Sequence, residues 1–147
     1  MKQDTTSKDN IQNFVDKLVS LGYTVSEISK KPQVYSINDK SVNIRSRGKS
    51  VQLADGSKVF WYSIAFSVIP IVDFVIYLMT SPDYFIMVPS QFLGNLKEYM
   101  YPDYSKNGVG IFTINWDSLE IQLKHGQVKS LDNYYHNLIC RDDYPIF

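Results

Sequence analysis

The strongest pattern in the chain is an amphipathic repeat near its start. Ile11, Phe14, Val15, Leu18 and Val19 recur at the spacing of one helical face. This predicts a helix over 10–21, with Ser7 or Asp9 placed to cap its start and Gly22 to end it. After a polar stretch to Pro32 the period changes from 3.6 to 2. Gln33 to Ile37 and Ser41 to Arg47 read as a hairpin turning at Asn38-Asp39-Lys40. In the return strand, Val42 and Ile44 point one way. Ser41, Asn43, Arg45 and Arg47 point the other, because side chains alternate across a strand. Gly48 to Ser57 is polar and reads as a loop, with Asp55-Gly56 a turn.

From Val59 to Met79 the chain is almost continuously apolar, and Asp73 is its only charge. The run is long enough to span a bilayer. Pro70 near its middle, Asp73 after it and the β-branched and aromatic side chains argue for two strands instead, about 58–66 and 72–79. Both faces of each are apolar, as in strands covered on both sides. Tyr84 to Val88 is a further strand. Ser90 is placed to cap a second helix with Phe92, Leu93, Leu96, Tyr99 and Met100 on its apolar face. Tyr101 to Gly110 reads as a loop, 111–116 and 119–123 as strands or as a strand plus a short turn, and Ser130 as the start of a last helix carrying Leu131, Tyr134, Tyr135, Leu138 and Ile139. The expected fold class is α+β or α/β. A central mixed sheet of about five strands (33–37, 41–47, 58–66, 72–79 and 84–88) carries the first helix on one face. No repeat or linker divides the chain, so 1–147 reads as a single domain with 1–8 a flexible N-terminus.

Composition narrows the function classes. A chain of 147 residues with 44% hydrophobic residues suits one globular core. Lys+Arg and Asp+Glu both number 15, which excludes a generally basic coat but not a local patch. One cysteine, Cys140, excludes an internal disulfide framework, and two histidines exclude a His-rich metal centre. The polar N-terminus, MKQDTTSKDN, has no apolar signal core, so the expectation is a cytoplasmic protein without a membrane segment.

Against the neutral background, Lys40, Arg45, Arg47, Lys49 and Lys58 face only Asp39 and Asp55 in their window. Arg45 and Arg47 share a strand face that Lys49 continues, an arrangement that suits phosphate oxygens. The plainer reading is a solvated edge with scattered charges. The candidate nucleic-acid-binding set is Arg45, Arg47, Lys49, Asn43 and Lys58. Other chemistry is weaker. His136 and Cys140 are spaced to meet on a helix as a nucleophile pair, although a lone cysteine is more often apolar filler. His125 sits in a turn, Lys124-His125-Gly126. Asp73, amid Ile71, Val72, Phe74 and Val75, needs a partner or a strand end. Capping backbone donors at the start of its strand is the favoured reading; a metal or Arg45 is the other.

The order of elements resembles the restriction-endonuclease-like superfamily, the PD-(D/E)XK nucleases. The segments that carry the resemblance are Asn43-Ile44-Arg45-Ser46, Phe60-Trp61-Tyr62, Asp73-Phe74-Val75-Ile76-Tyr77 and Met87-Val88-Pro89, within residues 10–100. The resemblance implies a nuclease fold whose chemistry needs carboxylates around a divalent metal and a lysine near the attacking water. This chain departs from that pattern at the positions that matter. Asn43 and Arg45 stand at the carboxylate and lysine places, and an uncharged amide and a guanidinium do not suit Mg²⁺ as a carboxylate does. Tyr35-Ser36 holds no acid either. The resemblance therefore implies a scaffold that keeps its fold, has lost its metal site, needs no cofactor and binds DNA or RNA. Two alternatives stand beside it. One is a small inhibitor or subunit of a mobile-element or defence system acting through a protein partner. The other is an active Mg²⁺-dependent nuclease using Asp39, Asp55 or Asp73.

Overall fold

The first amphipathic stretch forms helix α1 (Ser7–Ser20) in a computed structural model that describes residues 7–28, 33–48, 50–79, 81–139 and 146–147. The helix ends as its sequence directs. Gly22 takes φ +96, the Tyr23 N–H donates to the Leu18 carbonyl at 3.1 Å and the Gly22 N–H to that of Val19 at 3.0 Å. This is the Schellman pattern, and only glycine enters that left-handed position without a Cβ penalty. Ile11, Phe14 and Leu18 are buried, whereas Val19 lies 54% exposed. Most of the predicted flexible N-terminus, residues 1–6, lies outside the described residues.

Among the described residues the strands build two sheets, where the sequence pattern predicts one. The first has six strands: β1 (Val25–Glu27), β2 (Val34–Ile37), β3 (Lys40–Arg45), β6 (Phe74–Leu78), β7 (Tyr84–Pro89) and β12 (Tyr135–Asn137), in that spatial order. β3 and β6 run parallel, and every other neighbouring pair is antiparallel. The second sheet takes β4 (Ser50–Gln52) and β5 (Lys58–Ala65), then β9 (Val109–Asn115), β10 (Glu120–Gln122) and β11 (Val128–Ser130), with β8 (Tyr101–Pro102) beside β9. The molecule is thus α+β, dominated by its sheets.

Alternation along the strands explains the layering. Ile76 and Leu78 pack with Phe14, Leu18 and Phe85 under α1. Val75 and Tyr77 point the other way, into a core shared with Tyr62, Ile64, Phe112 and Ile114 of the second sheet. β6 and β7 are therefore covered on both faces, as their unbroken apolar runs predict.

Several elements differ from the sequence reading. The 58–66 strand belongs to the second sheet, because the chain leaves the first sheet after Arg45 and crosses to pair β4 with β5. The 48–57 loop accordingly contains a strand, and the 101–110 loop contains β8. The second helix shrinks to α2 (Ser90–Gly94) followed by a 3₁₀ turn at Lys97–Tyr99, since Gly94-Asn95 is a poor helix interior. The last predicted helix is a 3₁₀ turn at Asp132–Tyr134 followed by β12, which closes the open edge of β7. The Tyr-Tyr-His-Asn run of 134–137 favours or tolerates a strand more than a helix. The apolar run 59–79 is split between the two sheets, and no helix of the described residues is long and apolar enough to cross a membrane.

Candidate anion site at the sheet corner

The chain between β3 and β4 turns the corner from one sheet to the other. At this corner the Gly48 N–H donates to the Trp61 carbonyl of β5 at 2.9 Å. A Cβ on Gly48 would lie 2.4 Å from that oxygen, so glycine is what permits the approach. Arg45 is the last residue of β3, and Arg47 lies within the corner.

Both arginines are half-buried. Alternation places Asn43 and Arg45 opposite Val42 and Ile44, and Arg47 lies two residues past the end of β3. β5 covers part of that face, its Ser63 and Phe60 meeting Arg45 and Arg47. Arg45 donates from Nη2 to the Ser63 hydroxyl at 2.9 Å and from Nη1 to the Gln33 side-chain oxygen. Gln33 is itself fixed at φ +64, its carbonyl accepting from the Ile44 N–H at 2.9 Å and from Asn43 Nδ2 at 3.3 Å. The Arg47 guanidinium sits 5.5 Å from the centre of the Phe60 ring. Its Nε is buried and meets no acceptor among the described residues.

Together Arg45, Arg47 and Gly48 line a pocket of about 290 Å³ with Trp61, Ser63 and Ile111. No carboxylate among the described residues lies within 4 Å of either guanidinium. Below the pocket, burial pushes the phenols of Tyr62 and Tyr77 up from their ordinary pKa. The Trp116 hydrogen bond and then the Arg47 charge oppose that shift in part at Tyr62, and the Arg45 charge does so at Tyr77. The Tyr62 hydroxyl donates to the Leu78 carbonyl at 2.8 Å and accepts from the Trp116 indole at 3.0 Å. Tyr77 Oη is buried without a partner among the described residues. Two forked cations facing a small, partly aromatic concavity match an anion with several oxygens, such as phosphate or carboxylate.

The remaining sequence candidates are elsewhere. Lys49 lies outside the described residues. Asn43 is 3% exposed and donates from Nδ2 to the Gln33 carbonyl. Lys58 is exposed at the far end of β5, five residues from Ser63, or roughly 16 Å along an extended strand. Asp73 accepts from the Ser41 N–H at 3.0 Å and the Ser41 hydroxyl at 3.3 Å. This is the strand-start role the sequence favoured. Because Tyr77 is the register partner of Arg45, Asp73 lies four residues away, about 13 Å along the strand. Asp39 sits in its turn at φ +73. Asp55 accepts from the Ser57 N–H and hydroxyl, which holds its carboxyl below the usual carboxylate range.

The His136–Cys140 pair expected on a helix does not form on one. His136 is in β12 with its ring 5.3 Å from that of Phe85, and Cys140 is outside the described residues. His125 is exposed in a 3₁₀ turn.

Sequence reading missed Gln33, Trp61 and Ser63. A signal for the last two was present: alternation puts Trp61 and Ser63 on one face of β5 and Tyr62 and Ile64 on the other. An apolar run hides such a pattern until the second sheet is known to have an open face. The chain matches no protein-family model, no curated protein and no solved structure.

Proposed function

We propose that this protein is a nucleic-acid-binding module that grips backbone phosphate through Arg45 and Arg47, on a nuclease-like scaffold that does not cleave. One observation carries the reading: two half-buried arginines, with no acidic partner among the described residues, line one pocket. A guanidinium withdrawn from water without a counter-charge is costly, and a bound phosphate offsets that cost. Arg45 is already held by Ser63 and Gln33, so less side-chain freedom is lost on binding. The non-cleaving part rests on chemistry at the same strand. Asn43 and Arg45 occupy the places where the resemblance expects an acid and a lysine. Asp55 and Asp73 spend their carboxylates on local backbone donors.

The test is the affinity of R45Q/R47Q and wild type for labelled DNA and RNA oligonucleotides across a salt series. The expected result is weaker binding, with a log–log salt slope shallower by about 1 for each phosphate that is no longer neutralised. Glutamine preserves the stem, and thermal unfolding of the double variant checks that the corner is intact. Equal affinities and equal slopes would overturn the reading and favour a protein partner. Plasmid cleavage in Mg²⁺ that disappears in D73A would overturn its non-cleaving part.

A further inference from the structure

We propose that the Arg45–Arg47 pocket is one end of a track for single-stranded nucleic acid that crosses the outer face of the second sheet to a lysine-lined basin. The inference rests on the function proposed above and names its substrate class. The sheet register supplies the path. Ser63 of β5 pairs with Ile111 of β9, and Ile111 pairs with Tyr101 of β8. Residues directly opposite in antiparallel strands share a face. Ser63, which holds Arg45, Ile111 and Tyr101 therefore form one row across the sheet, about 10 Å long at two strand spacings. Trp61 lies two residues before Ser63 on that face, and its ring meets Tyr101 edge-on, centroids 5.9 Å apart at 73°.

Three concavities adjoin this row and are joined through its neighbouring rings. The arginine pocket shares Trp61 with a neighbouring pocket of about 210 Å³. That pocket shares Tyr101 with a third, of about 400 Å³, which Lys97, Lys106 and Lys124 line. Among the described residues that line the three, five cations face a single carboxylate, Asp103. Asp103 accepts from the Ser105 N–H at 2.9 Å and from its hydroxyl, a local turn that keeps the carboxylate on its own loop. In a chain of zero formal charge this is a concentrated positive strip. Aromatic surface is interleaved with it. Tyr101 is 42% exposed and Tyr104, on the basin wall, is 96% exposed.

Cations alone would serve any polyanion. Exposed rings between them select for bases whose faces are free, and in a duplex those faces are already stacked. Phosphates at the arginine end, bases over Trp61, Tyr101 and Tyr104, and phosphates again at the lysines are the arrangement that fits.

The experiment measures fluorescence anisotropy with a labelled dT 12-mer, the matching U 12-mer and a 12-bp duplex, each against the full chain. Y104A, whose ring is almost wholly in solvent, and Y101A are compared with wild type, as is K106E/K124E. Binding of the single strands is expected to exceed that of the duplex. Each tyrosine variant is expected to lose about fivefold or more of single-strand affinity, and the lysine variant to show a shallower salt slope. DNA and RNA binding alike places recognition on base faces and phosphates, whereas a preference for one assigns the strand its sugar; either supports the track. Unchanged single-strand affinity in both Y104A and Y101A, with weaker binding in R45Q/R47Q, overturns the track and leaves the arginine site standing. Binding of poly-glutamate as tight as that of the oligonucleotides overturns it in favour of an acidic protein partner. No oligonucleotide binding at all overturns both.

Discussion

Replacing Gly48 with alanine isolates the close approach that makes the arginine corner. The added Cβ would stand 2.4 Å from the Trp61 carbonyl oxygen and 3.3 Å from its carbon. Ordinary contact begins near 3.4 Å, so the two backbones must separate by about 1 Å. The obstacle is backbone already tied into the β5–β9 ladder, where Trp61 pairs with Thr113, so it does not swing aside as a side chain would. Overpacking of this kind costs about 1–3 kcal/mol. The 2.9 Å hydrogen bond from the Gly48 N–H is broken or stretched as well, for about 0.5–1.5 kcal/mol. The expected destabilisation is therefore about 2–4 kcal/mol. For a chain of this size that corresponds to a melting temperature lower by roughly 5–15 °C. Circular dichroism melts and urea titrations measure it, and an unchanged m-value would show that the denatured state is unaffected. A drop smaller than about 2 °C would refute the claim that the corner requires glycine. The same variant should weaken nucleic-acid binding, because Arg47 moves with residue 48.

Two further outcomes follow from buried and surface polar groups. Tyr77→Phe should raise stability by about 1 kcal/mol in chemical denaturation, because the deleted hydroxyl is fully buried and unpartnered among the described residues. A loss of stability would mean the hydroxyl is bonded after all. Ser57→Ala should raise the Asp55 pKa part of the way toward the ordinary carboxylate value in an NMR titration, since the Ser57 hydroxyl supplies the largest of the hydrogen bonds that lower it and the backbone N–H stays. A depressed carboxylate pKa favours the fold above the unfolded pKa, and that contribution is lost as pH falls through the folded value. The variant should therefore lose stability slightly near neutral pH and differ less from wild type in acid; a difference that grows in acid would contradict the assignment.

Much of the first sheet is legible in the sequence, for a local reason. The α1 repeat, Gly22 as its stop, the hairpin at Asn38-Asp39 and the strands at 74–78 and 84–89 each state their period and their breaks within a few residues. The basic strand face is legible in the same way, since alternation alone puts Arg45 and Arg47 together. What covers each face is not written locally. The run 58–66 reads as a doubly buried strand in one central sheet, yet Trp61 and Ser63 face outward from a second sheet. The arginine row reads as solvated, yet β5 lies against it. The run 131–139 carries helical spacing, yet the free edge of β7 claims 135–137 as a strand. Periodicity determined which side chains travel together on this chain. Tertiary structure decided which neighbour each face meets, because burial and hydrogen-bond pairing are settled between segments far apart in sequence, and at the Gly48–Trp61 corner that decision turned a strand edge into a site.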